Sequence, residues 1–201
     1  TWDQQAFLSA SSANRSLAVK LSKIASDLIL LSSGPRAGLG EINLLPVQPG
    51  SSIMPGKVNP VMAELVNVVA FRVIGNDTSV MLSAKAGQLQ LNAYEPMEAM
   101  AILDSQRLMT NTMRTLREKC VDGISVNEAT LAANIERTVG IVTALNPVIG
   151  YEAATELAKE AYASDKGILE VIREKGVLSE EQIDEILDPA NLTGLDKRKY
   201  K

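Results

Sequence analysis

The 201-residue sequence contains no histidine. That removes imidazole bases, histidine metal ligands and Ser-His-Asp triads from the chemistry this polypeptide assembles by itself, and neither a metal nor an organic cofactor is expected. A single cysteine, Cys120, excludes an internal disulfide and fits a reducing, cytoplasmic setting. Aromatic residues amount to 3%, so any core is aliphatic, built from Leu, Ile, Val, Ala and seven Met. No uninterrupted apolar run reaches the roughly 18 residues of a membrane span. No charged segment leading into an apolar one opens the chain, as a signal peptide would. A formal net charge of −4 argues against nucleic acid as a partner. The basic tail Lys197–Lys201 reads as a solvated end. The chain starts at Thr1 in mid-pattern, which reads as a piece of something longer.

What is present points to helices. Hydrophobic residues make up 46% and charged residues 22%, with Ala, Leu, Glu and Lys abundant. Leu17, Leu21, Ile24, Leu28 and Leu31 alternate spacings of four and three within a helix expected from Trp2 to about Ser32. Gly34 and Pro35 then stop it. Residues 34–60 read as a loop too long to be idle in a compact domain. A second helix starts at Pro60, with Met62, Val66, Val69 and Val73 on one stripe and Val61, Leu65 and Val68 on another. A third runs from Ala93 to Lys119, with Ile102, Met109, Met113 and Leu116 inward.

After about Gly123 the helical patterns shorten, near 127–136, 150–163, 167–174 and 180–187. Ser125-x-x-Glu128 and Ser179-x-x-Gln182 match the capping box. The expected fold class is all-α: long antiparallel helices of a bundle over 1–122, and a small helical domain over 123–201.

The most informative stretch is Gly50-Ser51-Ser52-Ile53-Met54-Pro55-Gly56-Lys57-Val58-Asn59-Pro60. Gly50 and Gly56 allow backbone conformations other residues avoid, and the prolines stiffen the segment. Ser51 and Ser52 bring hydroxyls, Lys57 a cation and Asn59 an amide. These are means of holding a carboxylate, and a developing negative charge, beside a proton acceptor. The same residues also suit a plain connection that ends in a helix cap.

Gly-Ser-Ser-x-Met-Pro-x-Lys-x-Asn-Pro resembles the signature of the aspartase/fumarase superfamily, whose members form fumarate by β-elimination. Ser32–Ile42, Gly87-Gln88-Leu89-Gln90-Leu91-Asn92 and Asn146-Pro147-x-x-Gly150-Tyr151 look like further landmarks of that family. Arg36-Ala37-Gly38-Leu39, Val61-Met62-Ala63-Glu64 and Ala86-Gly87-Gln88-Leu89 are similar to bacterial aspartases. Fumarases tend to carry Thr-Gln-Cys-Glu after the signature and a Gly-Asn-Phe-Glu-type segment later.

The resemblance implies an ammonia-lyase that converts L-aspartate to fumarate, with fumarase as the runner-up and a non-catalytic helical scaffold as a third reading. It implies Ser51 as the base that takes the Cβ proton. It implies Ser52, Lys57 and Asn59 as binders of the substrate carboxylate, and Gly50, Met54, Pro55 and Gly56 as residues that shape the loop. Glu64 matches an acidic residue that pairs with a neighbouring subunit's histidine in relatives, and equally suits the first turn of a helix. The family site is shared between subunits of a homotetramer and draws on an N-terminal half. By that reading the 201 residues alone are inactive. A small dicarboxylate or amino-acid substrate is the implied partner.

Overall fold

The computed structural model describes residues 2–34 and 36–193, so Pro35 and the basic tail lie outside the described residues. The chain divides into two units, Thr1–Asn127 and Glu128–Lys201. Both are helical, as expected for an all-α protein.

The first unit is built on three long helices: α1 (Gln5–Leu31), α2 (Val61–Lys85) and α3 (Glu95–Lys119). The buried positions of α1 are Ser11, Ala18 and Ala25, seven residues apart. Such small side chains let α2 approach closely. Leu21 and Leu28 flank them, but Leu17 and Ile24, expected in the same seam, are 40% and 51% exposed. The alanines, and not the larger leucines, decide which face turns inward.

Polar cross-links fix the directions. Ser11 Oγ donates to Asp77 at 2.6 Å and Ser22 Oγ to Asn67 at 2.7 Å, so α1 and α2 run antiparallel. Asn76 Nδ2 donates to Ser105 Oγ at 3.0 Å and to the Ala101 carbonyl at 3.3 Å, in the middle of an antiparallel α2–α3 contact. Gln4 Nε2 donates to Glu95 at 3.1 Å, which places the starts of α1 and α3 together. Buried around these links are Val66, Val69, Val73 and Val80 of α2 with Ile102, Met109 and Leu116 of α3. Met113, expected inward, is 36% exposed.

By length and composition α2 is apolar enough to cross a membrane, with a mean hydropathy of 1.3 in its best window. Its Ala63, Val66, Ala70 and Val73 are nevertheless packed against α1 and α3, and Arg72 and Asp77 pair with Asp104 and Arg15.

Serines close α1. The hydroxyls of Ser32 and Ser33 donate to the Leu28 and Leu30 carbonyls at 2.7 and 2.6 Å. The long connection that follows is tied down. Strand β1 (Ile42–Asn43) pairs antiparallel with β2 (Ser125–Val126), and Asn127 Nδ2 donates to the Gly40 carbonyl at 2.6 Å. Ser125, expected to cap a helix, therefore sits in a strand, and α4 (Glu128–Arg137) begins only after it. Leu44 packs on the cluster of Ala25, Ala63, Val66, Leu116 and Cys120, and burial pushes the Cys120 thiol pKa up.

One buried group stands apart. Glu98, in the first turn of α3, is fully buried, and neither carboxyl oxygen meets a hydrogen-bond partner. Burial, reinforced by the nearby Glu95, raises its pKa above the ordinary glutamate value.

The second unit contains α4, α5 (Val142–Ile149), α6 (Tyr151–Ser164), α7 (Ile168–Lys175), α8 (Glu180–Leu187) and the short α9 (Pro189–Leu192). Its core gathers Leu145, Leu157, Ala161, Ile168, Ile172 and Ile183. The capping box at Ser179 and Gln182 is formed in both directions.

Candidate active site

The segment 49–60 is a hairpin that ends where α2 begins. Pro49 and Val58 form an antiparallel bridge, and Gly50 N–H donates to the Lys57 carbonyl at 2.7 Å. At the tip, Lys57 N–H reaches the Met54 carbonyl at 3.3 Å. Pro55 in the second place and Gly56, at φ +77°, in the third match a type II turn. Any other residue at Gly56 would be strained.

Ser51 lies inside this hairpin and is only partly exposed. Its Oγ accepts the backbone N–H of Ile53 at 3.1 Å and of Met54 at 3.2 Å. Two donors aimed at one hydroxyl oxygen favour the deprotonated, negatively charged form over the neutral one. Ser52 and Lys57 are exposed at the surface of the same hairpin. Asn59 Nδ2 donates to the Gly50 carbonyl at 3.1 Å. Pro60 caps α2, and Glu64 N–H donates back to the Pro60 carbonyl at 3.0 Å, leaving the Glu64 side chain exposed in the first helical turn.

Thus Gly50, Ser51, Ser52, Lys57 and Asn59 fall on one short hairpin, with Met54, Pro55 and Gly56 forming its turn. The donors to Ser51 are backbone groups of Ile53 and Met54. Side-chain reasoning does not name them, although a serine followed at the second and third positions by free amides is a known local motif. Among the described residues no group of three or more Cys, Asp or Glu is placed to hold a metal ion. A cleft of about 670 Å³ in the second unit, lined by Ile141, Pro147, Gln182, Ile186 and Leu192, contains none of the hairpin residues.

Comparison with known proteins gives the family. Residues 1–75 match the Lyase family and residues 141–194 match the Fumarase C C-terminus family. An aspartate ammonia-lyase of Pseudomonas fluorescens is 55% identical over 192 residues, which is 96% of this chain and 40% of that protein. The solved structure of a fumarate lyase:delta crystallin from Brucella melitensis is 53% identical, with a TM-score of 0.84 over 95% of this chain and 41% of that one. A class II fumarase from Schistosoma mansoni is 36% identical, with a TM-score of 0.83 over 93% of this chain and 39% of that one. The chain spans about 40% of the length of the curated relatives it matches. By sequence and by fold, the chain belongs to the aspartase/fumarase superfamily of lyases and is similar to its bacterial aspartate ammonia-lyases.

Proposed function

We propose that this chain carries the base-bearing loop of an ammonia-lyase that reversibly eliminates ammonia from L-aspartate to give fumarate. The observation that carries the proposal is the Ser51 hydroxyl held under the N–H groups of Ile53 and Met54. A neutral serine is a feeble base, and removing a proton from Cβ demands a stabilised alkoxide. The two amides supply that stabilisation, and the Lys57 cation adds to it once the loop closes over substrate. Proton loss next to the carboxylate gives an aci-carboxylate dianion, and ammonia then leaves from Cα. Ser52, Lys57 and Asn59 bind the substrate carboxylate in this reading.

The exposed apolar residues of the long helices support self-association. Ile24 and Leu30 of α1, Val68 and Phe71 of α2, and Met100 and Leu103 of α3 are each more than half exposed. A homotetramer with sites shared between subunits would cover such stripes. Glu64, exposed beside the loop, is then placed to meet a neighbouring subunit. The single buried thiol, Cys120, fits a cytoplasmic enzyme.

Fumarase is the second reading, favoured by the 36% identity to the Schistosoma mansoni class II enzyme. Ultraviolet absorbance of fumarate, followed with L-aspartate and then with L-malate on the full-length protein, separates them. Turnover of aspartate is expected; turnover of malate alone would assign the chain to the fumarases. Residues 1–201 expressed alone are expected to turn over neither substrate, because this polypeptide has no histidine and a shared site needs groups from outside it. Measurable fumarate production by that purified chain would overturn the shared-site reading.

A further inference from the structure

The geometry points to Asn59 as a positioning residue that clasps the base of the hairpin and sets the orientation of Ser51 before substrate arrives. The inference rests on the reading of Ser51 as the base. It adds a role for Asn59 that is independent of any substrate contact.

Asn59 Nδ2 donates to the Gly50 carbonyl at 3.1 Å. That carbonyl shares a rigid peptide plane with the N–H of Ser51, so a bond that fixes the one fixes the plane from which Ser51 departs. On its other side Gly50 N–H donates to the Lys57 carbonyl at 2.7 Å. Gly50 is therefore held on both sides, and through it the backbone of the base residue is tied to the backbone of the cationic residue.

A second observation is independent of these bonds. A Cβ added at Gly50 would lie 2.9 Å from the Lys57 carbonyl oxygen, 2.9 Å from the Asn59 nitrogen and 3.0 Å from Asn59 Oδ1. The strands of the hairpin and the Asn59 side chain close on position 50 so tightly that only glycine fits. Asn59 N–H groups number two, and the clasp uses one, so the amide keeps a donor for a carboxylate. Asn59 is itself held at the start of α2, where the Val61 N–H donates to its carbonyl at 2.8 Å. The clasp thus references Ser51 to the rigid end of a long helix.

The test combines hydrogen exchange and kinetics on the full-length protein with the variants Asn59→Ala, Gly50→Ala and the double variant. In the absence of substrate, Asn59→Ala is expected to speed exchange of the Gly50, Ile53 and Met54 amides about five- to tenfold, as loss of one hydrogen bond does. Gly50→Ala, which leaves the asparagine in place, is expected to do the same, and the double variant to add little to either. With substrate, Gly50→Ala, which keeps the Asn59 amide for the carboxylate, lowers kcat about tenfold or more while KM changes less, the pattern of a misplaced base, whereas Asn59→Ala raises KM as well. Unchanged loop exchange in free Asn59→Ala, or effects of the two substitutions that simply add, would overturn the clasp. The exchange measurement needs no turnover, so it reads the clasp even if the wild-type protein proves not to act on aspartate. The melting temperature of each variant separates loop loosening from general misfolding.

Discussion

Ser51→Ala in the full-length enzyme is expected to lower kcat by about 10³-fold, with KM nearly unchanged, since a positioned base contributes on the order of 10²–10⁴. The expectation follows from the hairpin. Ser51 Oγ is the side-chain atom that collects the Ile53 and Met54 amides, and alanine leaves those donors facing water. Ser51→Cys sharpens the test, because a thiol ionises far more easily than a hydroxyl and needs less help from two N–H groups. Partial activity of the cysteine variant with a pH profile moved to lower values would support proton abstraction at this position. Ser51→Ala turning over at the wild-type rate would remove Ser51 from the chemistry altogether.

The second large effect concerns stability. Glu98 has both carboxyl oxygens buried without a partner, and its pKa is raised by burial and by Glu95. In the folded chain it therefore holds its proton to higher pH than in the unfolded chain. Below about pH 4.3, the ordinary glutamate value, both states are protonated and its favourable contribution is fully present. As pH rises the unfolded state ionises first, and stability is lost progressively until the raised folded value is passed. Glu98→Gln keeps the shape and cannot ionise. Wild type and variant should match in acid and diverge as pH rises, with the variant the more stable near pH 8. Thermal melts of both proteins from pH 4 to 8 measure this. A stability difference that stays constant across that range would show that Glu98 ionises freely in the fold.

How much of this was legible beforehand varies with the length of the pattern. The three long helices were readable because each carries several turns of apolar periodicity, and their observed ends lie within a few residues of Ser32, Pro60 and Lys119. Which face of α1 turns inward was not. A leucine at 17 or 24 is a stronger hydrophobic signal than an alanine at 18 or 25, yet close helix approach rewards the smaller residue. Helix α5 falls between the helical patterns expected near 127–136 and 150–163; it is only eight residues long and holds Pro147 inside it, too short and too interrupted to show a period. The pairing of Ile42 with Val126 had no local trace, since two-residue strands have no period. At the hairpin, residue types alone suggested a loop able to hold an anion or a plain connection, and the roles of Ser51, Ser52, Lys57 and Asn59 came from the resemblance to the superfamily signature. The donors at Ser51 and the contact from Asn59 to Gly50 belong to backbone geometry, which composition does not encode.

The strand pair has a further consequence, in the order of assembly. Ile42–Asn43 and Ser125–Val126 are separated by more than the whole length of α2 and α3, so their pairing closes a large loop. Loop closure over such a distance is paid in chain entropy before any bond returns it. On the ribosome, Ile42 and Asn43 have no partner strand until position 126 has emerged. The Gly40 and Glu41 amides can already bond to the Ser33 and Leu31 carbonyls at the end of α1, and the strand pair is added only after the helices that frame it have been made. An incomplete polypeptide ending before Ser125 would hold the helical scaffold without the fastening that steadies the approach to Ser51.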